Sequence, residues 1–396
     1  MTSTPAYDVL IVGGGVIGSS VAYFLSNHPE GRKLRIGVVE PDPTYATSST
    51  ALSVGGIRQQ FSTPENIRLS LFSAEFFRHA KEALAVQGEG PDLGFREEGY
   101  LFLATTEGLP ILERNRALQV ELGADVEILD PEALRVRFPW LEVSDLAGGS
   151  LGMRGEGWLD PYSLLQAFKK KARAQGVLFL KDQVVGISWT ESRIEAVTLA
   201  GGELITVGLV VNAAGPRASD LALLAGIPDL PVRPRKRFVY GVRTSEKLPG
   251  CPLVIDPSGV YFRPEGNGFL CGVSPPADRD PDTLDLEMEY DLFHQIVWPA
   301  LARRVPPFDA LRLGSSWAGH YAYNTLDQNA ILGAHPERKN FLFANGFSGH
   351  GLQHSPGIGM ALSELILFGE YRTLELRRFG FHRFAANRLI KEENVV

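Results

Sequence analysis

The sequence predicts an α/β fold, and two glycine-rich loops carry that prediction. The first loop, residues 13–18, follows a short apolar run and precedes a helix-compatible segment. The second loop, residues 346–351, follows the apolar run 341–345 and precedes another such segment. A buried strand, a glycine turn and a helix N-terminus in this order are typical of parallel α/β sheets that bind phosphate groups. The 44% hydrophobic and 21% charged residues are ordinary for a globular chain.

Charge and cysteine content exclude several classes of protein. The 396 residues carry 39 basic and 46 acidic side chains, a net charge of −7. Nucleic-acid and anionic-membrane binding need clustered cations, so neither partner is expected. Residues 9–29 lack charged side chains but are broken by glycines and polar residues, so we expect no membrane span and no targeting segment. With only Cys251 and Cys271, a cytoplasmic, reducing location is the expectation.

The first unit has a strand at residues 8–12, a helix reaching residue 25 and a second strand at 35–39. Gly13 permits the tight turn, Gly15 allows a pyrophosphate to approach the backbone, and Gly18 allows close packing of helix and strand. Glu40 ends the second strand, where an acid accepts ribose hydroxyls and disfavours a 2′-phosphate. The unit therefore predicts a dinucleotide site that does not take NADP. It does not distinguish NAD from FAD.

Further elements follow from periodicity and from helix start and stop residues. Ser355 is read as the cap of the last long helix, and Pro299 as a break. Helices are predicted at 65–86, 109–122, 160–175, 284–302 and 356–368, and strands at 99–104, 177–180, 184–189, 194–199, 203–207, 209–215 and across 232–273.

The second glycine loop distinguishes the candidate cofactors. One dinucleotide needs a single pyrophosphate cradle, so a second helix N-terminus suits another site of negative charge. The edge of a flavin accumulates negative charge on reduction. An NAD-dependent dehydrogenase would leave the second loop unexplained.

With these motifs, the chain resembles the glycine oxidase and D-amino-acid oxidase group of FAD enzymes, in its sarcosine-oxidase-like branch. The matching segments are 9–18, 48–58, 212–216 and 346–351. Segments 55–61 and 234–237 resemble a narrower subgroup, the FAD-dependent oxidoreductase domain-containing proteins.

The resemblance implies a Rossmann-like FAD-binding domain interleaved with an α+β substrate domain whose sheet roofs the flavin. The FAD domain would comprise residues 1–88, 150–226 and 325–396, and the substrate domain residues 89–149 and 227–324. The implied FAD contacts are Gly13, Gly15, Val16, Ile17, Gly18, Glu40, Ser48, Ser49, Ala51, Leu52, Arg58, Val184, Val185, Ala214, Gly215, Gly346, Phe347, Ser348, Gly349, His350, Gly351, Leu352 and Gln353.

Departures from the family pattern refine these expectations. The cysteine that attaches FAD covalently in many members falls near Tyr321, so non-covalent FAD is predicted. The lysine that is linked to oxygen reactivity in the family would fall near Leu270 and is absent here, which favours a dehydrogenase over an oxidase. Two basic residues that hold the substrate carboxylate fall at Phe61 and Gln353.

The resemblance implies oxidation of the C–N bond of a primary or secondary amine or amino acid, such as an N-substituted glycine. The bond becomes an imine by hydride transfer to flavin N5, and O2 or another carrier accepts the electrons. The alternative is a flavin-binding protein with an assembly or interaction role and little amine turnover.

Five side chains are candidates for the chemistry. Arg58 is either flavin-facing or simply ion-paired, and His350 is either at the flavin edge or held by its own loop. Tyr261 and Tyr323 match aromatic residues of the substrate pocket. Arg263 either replaces the missing carboxylate clamp or is a solvated strand-end residue.

Two other patterns are read as unremarkable. His350 and His354 have metal-like spacing, but Pro356 argues against one helix face, so no metal is predicted. The basic run at residues 233–237 is interpreted as a solvated strand.

Overall fold

Two eight-stranded sheets organise residues 6–393, the part of the chain that this computed structural model describes. The strands are β1 (Ala6–Val12), β2 (Ile36–Val39), β3 (Gly56–Ile57), β4 (Tyr100–Ala104), β5 (Val126–Leu129), β6 (Gly148–Gly152), β7 (Gly157–Trp158), β8 (Leu178–Leu180), β9 (Val184–Trp189), β10 (Ile194–Leu199), β11 (Leu204–Asn212), β12 (Val232–Arg243), β13 (Leu253–Ile255), β14 (Tyr261–Glu265), β15 (Gly268–Gly272), β16 (Arg312–Asn324), β17 (Ile331–Ala334) and β18 (Phe341–Asn345). The α-helices are α1 (Val16–Asn27), α2 (Pro64–Arg78), α3 (Ala80–Ala83), α4 (Leu109–Glu121), α5 (Pro131–Arg137), α6 (Pro161–Ala174), α7 (Ala218–Leu224), α8 (Trp298–Arg304), α9 (Gly351–Phe368) and α10 (His382–Ala385).

The first sheet has the order β17-β18-β11-β1-β2-β8, with β9 and β10 added beside β11. Strand β1 pairs in parallel with β2 and β11, and β18 pairs in parallel with β11. Parallel strands end at the same edge of a sheet, so the loops that follow β1 and β18 meet there. This geometry brings residues 13–18 and 346–351 together although they are far apart in sequence.

The second sheet has the order β16-β12-β15-β14-β13-β4-β6-β5 and is mostly antiparallel. Its strands come from residues 100–152 and 232–324, two stretches that interrupt the first sheet. The predicted α/β fold with a second, interleaved sheet is therefore confirmed. The domain boundaries in residue numbers remain a prediction.

Strand β11 is continuous where the sequence predicted two strands, at 203–207 and 209–215. Gly208 lies between them, and a Cβ at this position would collide with the carbonyl oxygen of Asp8 on β1. Glycine is the residue that allows this close backbone approach, so Gly208 continues the strand and does not end it.

Helix α9 begins at Gly351, five residues before the predicted start at Pro356. Proline cannot donate the hydrogen bond to the carbonyl four residues earlier, which belongs to Leu352. The Ser355 hydroxyl donates to that oxygen instead, at 2.8 Å. Ser355 is therefore not the N-cap, and its hydroxyl compensates for the bond that Pro356 lacks.

The helix predicted at residues 284–302 is also placed differently. Residues 284–290 have no helical structure, and a π-helical turn, Phe293–Val297, leads into α8. Pro299 is the second residue of α8, directly after this π-helical turn, and the helix continues through it to Arg304. Among residues 6–393, no helix is long and apolar enough to cross a membrane. The cytoplasmic location remains a prediction.

Candidate active site

A cavity of about 1060 Å³ is lined by the carboxyl edge of the first sheet and by strands of the second sheet. Small-molecule sites usually span about 300–1,000 Å³, so this cavity is large enough for an extended cofactor and a substrate. Both glycine loops line it, as do residues from β12, β14 and β16.

The first loop forms one end of the cavity through its backbone. Gly13 has φ +103°, and a Cβ there would collide with the carbonyl oxygen of Ala213, the residue that follows the neighbouring strand β11. A Cβ at Gly18 would collide with the Gly13 carbonyl oxygen. The Thr50 hydroxyl accepts a 3.1 Å hydrogen bond from the Val16 N–H at the start of α1. Only glycine fits the turn, and the helix N-terminus is held at the cavity wall.

Unpartnered polar atoms surround this loop. The Glu40 carboxylate accepts hydrogen bonds from the N–H groups of Gly14 at 2.8 Å and Asp42 at 3.0 Å, and burial raises its pKa. The hydroxyls of Tyr45 and Ser49 are buried cavity-wall groups with no hydrogen-bond partner among residues 6–393. A buried hydroxyl without a partner is costly, and phosphate or ribose oxygens supply such partners. These groups fit a dinucleotide cofactor.

The second loop brings the N-terminus of the 18-residue helix α9 to the same cavity. Gly346 and Gly349 have φ values of +69° and +97°, and Ser348 also adopts a left-handed conformation, at +49°. The loop is attached to β16: the Ser348 N–H donates to Ala322 O at 3.0 Å, and Asn324 N–H donates to the Ser348 hydroxyl at 2.9 Å. A partial positive charge at a helix N-terminus favours an anionic group beside it.

Arg58 and His350 form a buried pair in the cavity wall. Arg58 Nη2 lies 3.2 Å from His350 Nε2, and Nη1 donates to Gln60 O at 3.0 Å. Arginine cannot accept a hydrogen bond, so Nε2 is the acceptor and the neutral imidazole carries its proton on Nδ1. Burial, followed by the charge of Arg58, lowers the pKa of His350 well below its usual value. His350 is therefore neutral near pH 7.

Two uncharged residues hold Arg58 in place. The Gln353 Oε1 accepts from the Arg58 backbone N–H at 2.8 Å, and the guanidinium lies 4.2 Å from the centre of the Phe61 ring. These are the two positions at which the family resemblance implies basic residues. Here they support a single buried cation.

Glu156 is a fully buried carboxylate behind Arg58, and no sequence motif indicated it. It accepts hydrogen bonds from the Gln59 N–H at 2.6 Å and from Gln60 Nε2 at 2.8 Å. Burial raises its pKa to about 7, although these bonds and the charge of Arg58 act in the opposite direction. Glu156 thereby fixes the two residues that follow Arg58.

The opposite wall is aromatic. Tyr100, Tyr261 and Tyr321 line the cavity, and burial raises the pKa of each hydroxyl. The ring of Tyr321 packs against Gly349, where a Cβ would collide with it. The charges of Arg237 and Arg58 both favour the ionised form of Tyr321, so both cations lie near this ring.

The structure brings most of the predicted site residues to the cavity, although their individual roles remain predictions. Those that line it are Gly13, Gly15, Val16, Ile17, Glu40, Ser48, Ser49, Leu52, Arg58, Val184, Val185, Ala214, Gly215, Tyr261, Phe347, Ser348, Gly349, His350, Gly351, Leu352 and Gln353. Those that do not are Gly18, Ala51, Gly346, Arg263 and Tyr323.

Neither interpretation of Arg263 matches its surroundings. It is buried, so it is not solvated, and it does not line the cavity. Its Nε donates to Val54 O at 2.9 Å, and its guanidinium lies 5.3 Å from the Trp158 ring centre and pairs with Glu265. These contacts satisfy the guanidinium within the protein. The ring centre of Tyr323 lies 5.9 Å from the Arg237 guanidinium, and Tyr323 does not line the cavity.

Two other sequence interpretations need correction. His350 and His354 do lie together at the start of α9, with ring centres 6.1 Å apart, because Pro356 is inside the helix. Within residues 6–393, no group of three or more His, Cys, Asp or Glu side chains is arranged to hold a metal. The basic run on β12 is only partly solvated, since its side chains pair with an acidic loop.

With fold and site in view, the chain belongs to the family of FAD-dependent oxidoreductases, whose family model matches residues 8–365. FAD is thus its cofactor, and the unpartnered hydroxyls beside the first loop fit it. Neither Cys251 nor Cys271 lines the cavity. Non-covalent attachment remains a prediction.

Individual relatives are similar over nearly the whole chain. FAD-dependent oxidoreductase domain-containing protein 1 of Xenopus laevis is 46% identical, covering 98% of this chain and 85% of that protein. Glycine oxidase of Geobacillus kaustophilus is 29% identical, covering 92% and 93%. The crystal structure of L-proline dehydrogenase from P. horikoshii has a TM-score of 0.86 at 27% identity, covering 98% of this chain and all of the other.

Proposed function

We propose that this protein oxidises the C–N bond of a primary or secondary amine or amino acid to an imine. Bound FAD supplies the two-electron acceptor for this reaction. The observation that carries the proposal is a single cavity in which the two glycine loops face an aromatic wall containing buried cations. Two similar proteins, glycine oxidase and L-proline dehydrogenase, are each named after an amino acid.

The protein's own task is to keep the reacting amine neutral. An ammonium ion has no lone pair to support oxidation of the adjacent C–H bond. Burial and the charge of Arg58 already lower the pKa of His350 strongly, and the same surroundings act on a substrate amine. The substrate is therefore bound with its amine unprotonated, and no residue is assigned as a base.

Positioning and charge stabilisation come from the cavity wall. The N-terminus of α9 and Arg58 would hold the part of the FAD that gains negative charge on reduction and would supply positive potential to it. Tyr100, Tyr261 and Tyr321 form the surface that orients the substrate carbon and excludes water.

Anaerobic titration of the purified, flavin-containing protein with a panel of amines and amino acids tests this function. We expect at least one compound to bleach the flavin band without added mediator. Admission of O2 then measures reoxidation, which is fast for an oxidase and slow for a dehydrogenase. If dithionite bleaches the bound flavin and no amine does, the proposal is wrong and an interaction role gains support.

A further inference from the structure

The basic run on β12 and the acidic loop at residues 274–290 form an ion-pair cluster that the proposed function does not use. Arg235 pairs with Asp282 at 3.1 Å, Lys236 pairs with Asp285, and Arg237 pairs with Asp280. Arg237 is the member of this run that lines the cavity. Ser274, Leu284 and Leu286 of the acidic loop line the cavity as well, so the cluster borders the substrate wall.

Arg237 has hydrogen-bonding capacity that the protein leaves unused. Nη1 donates to Asp280 Oδ1 at 2.8 Å and to Lys236 O at 2.8 Å, and Nη2 donates to Asp280 Oδ2 at 3.0 Å. The Nε–H is buried and has no hydrogen-bond partner among residues 6–393. The Nε–Nη2 edge of a guanidinium is a geometry that takes a carboxylate with two parallel bonds. An unsatisfied buried donor costs free energy that a ligand can recover.

Arg237 lies next to Tyr321 in the substrate wall of the cavity. Its guanidinium lies 5.0 Å from the ring centre of Tyr321, whose hydroxyl pKa responds to both Arg237 and Arg58. Tyr321 in turn packs on Gly349 of the second glycine loop. The two cations thus flank one ring of the substrate wall. The guanidinium of Arg58 contacts His350, Gln60 and Phe61. The guanidinium of Arg237 is instead paired with a carboxylate, that of Asp280.

We propose that Arg237 binds the carboxylate of the substrate through its Nε–Nη2 edge. The substrate class is then an amino acid, and a simple amine lacks the anchoring group. Asp280 opposes this binding because it holds negative charge on the same guanidinium. The inference rests on the proposed function, since it names the acidic group of that function's substrate.

A non-reactive carboxylate separates this inference from the oxidation itself. The flavin-containing protein is titrated with methoxyacetate, which has a carboxylate and no amine, and the visible flavin spectrum is followed. Methoxyacetamide is the neutral match. We expect methoxyacetate to bind saturably and methoxyacetamide not to bind. Arg237→Gln should raise the dissociation constant of methoxyacetate about 10-fold or more. Arg237→Lys retains part of the affinity because it keeps the charge.

Two further variants keep the result interpretable. Asp280→Asn is expected to tighten methoxyacetate binding, and Arg237→Gln in the Asp280→Asn background removes both charges without leaving one unpaired. Arg233→Gln is the matched control, because Arg233 lies on the same strand and pairs with Asp282 of the same loop but does not line the cavity. Arg235 is unsuitable because it also pairs with Asp280. The affinity of Arg233→Gln should equal that of the wild type.

The outcomes distinguish the two proposals. If Arg237→Gln binds methoxyacetate as tightly as the wild type, or if the wild type binds neither probe or both equally, the carboxylate site is wrong. If simple amines such as pyrrolidine still bleach the flavin in that case, the proposed function stands. If methoxyacetate binds through Arg237 and no amine or amino acid bleaches the flavin, the site stands and the proposed function fails.

Discussion

The two walls of the cavity are built in different ways. The wall at the first sheet is made mostly of backbone, from the glycine turns after β1 and β18 and the N-termini of α1 and α9, with Glu40, Tyr45 and Ser49 as side chains beside the first turn. The opposite wall is made of side chains, with Tyr261 and Tyr321 from separate strands and Arg237 from a third.

This difference matches the division of labour that we propose. A cofactor of fixed chemistry is held by main-chain groups that few substitutions can alter. Substrate selection uses side chains that can change without disturbing the turns. Changes in the backbone wall should therefore damage the fold and cofactor binding together, whereas changes in the side-chain wall should alter substrate handling.

The largest effect is expected for Gly13→Ala. Alanine at φ +103° is strained, and its Cβ would collide with the Ala213 carbonyl, so we expect a loss of about 2–4 kcal/mol in stability together with loss of bound flavin. Urea unfolding and the flavin-to-protein absorbance ratio measure this. Gly15→Ala is the matched comparison, since its Cβ would make an ordinary 3.4 Å contact with the Thr50 hydroxyl. It should bind flavin weakly and remain stable; equal stability of the two variants would contradict the account.

The next effect concerns Glu156, which supports the backbone after Arg58. Its pKa is raised by burial from 4.5 to about 7, so the folded state binds the proton more tightly than the unfolded state. Its stabilising contribution is complete below pH 4.5 and is lost as the pH rises through 7. The loss amounts to about 3 kcal/mol.

Urea unfolding of the flavin-free protein from pH 4.5 to 8 tests this, with Glu156→Gln as the control. The wild type should lose stability relative to the glutamine variant as the pH rises. A difference between the two proteins that does not change with pH would show that Glu156 does not titrate in this range.

Arg58→Gln should leave flavin bound but slow its reduction. We expect a reduction rate about 100-fold lower, because a buried cation beside developing negative charge is lost. The pKa of His350 should rise at the same time, since the charge of Arg58 is one of the causes that lower it. Single-turnover reduction kinetics and NMR titration of His350 are the two measurements. An unchanged reduction rate would remove Arg58 from the chemistry.

The smallest effect is expected at Tyr321, and Tyr323 on the same strand, β16, is its control. Tyr321→Phe removes a hydroxyl from the substrate wall and should raise the substrate dissociation constant about 3- to 10-fold. Tyr323→Phe should have no effect, because Tyr323 does not line the cavity. Equal effects of both variants would mean that the substrate wall extends beyond Tyr321.

The sequence predicted the backbone wall well, because each turn there is specified locally by glycines next to a strand. It predicted the side-chain wall poorly. Arg237 lies within a charged run that suggests a solvated strand, and its burial comes from a loop more than 40 residues away. For Arg263 the sequence left open a carboxylate clamp or a solvated strand end, and its strand directs it instead toward Val54 and Trp158.

Glu156 shows the same limit. Nothing in its local sequence predicts a buried carboxylate, since its partners Gln59 and Gln60 are almost 100 residues earlier in the chain. The start of α9 was missed because the Ser355 hydroxyl replaces the N–H that Pro356 lacks, a compensation that depends on side-chain geometry. Such features depend on tertiary contacts.

In the proposed reaction, FAD bound in the cavity oxidises a neutral amine that lies beside buried cations. Anaerobic stopped-flow reduction of the bound flavin by an amino acid, measured across pH, tests it most directly. We predict that the amino acid bleaches the flavin and that the reduction rate rises with pH. The apparent pKa of this rate should lie below the pKa of the free amine in water, because the cavity disfavours the ammonium form. Flavin that dithionite reduces but no amino acid bleaches at any pH would contradict the proposed reaction.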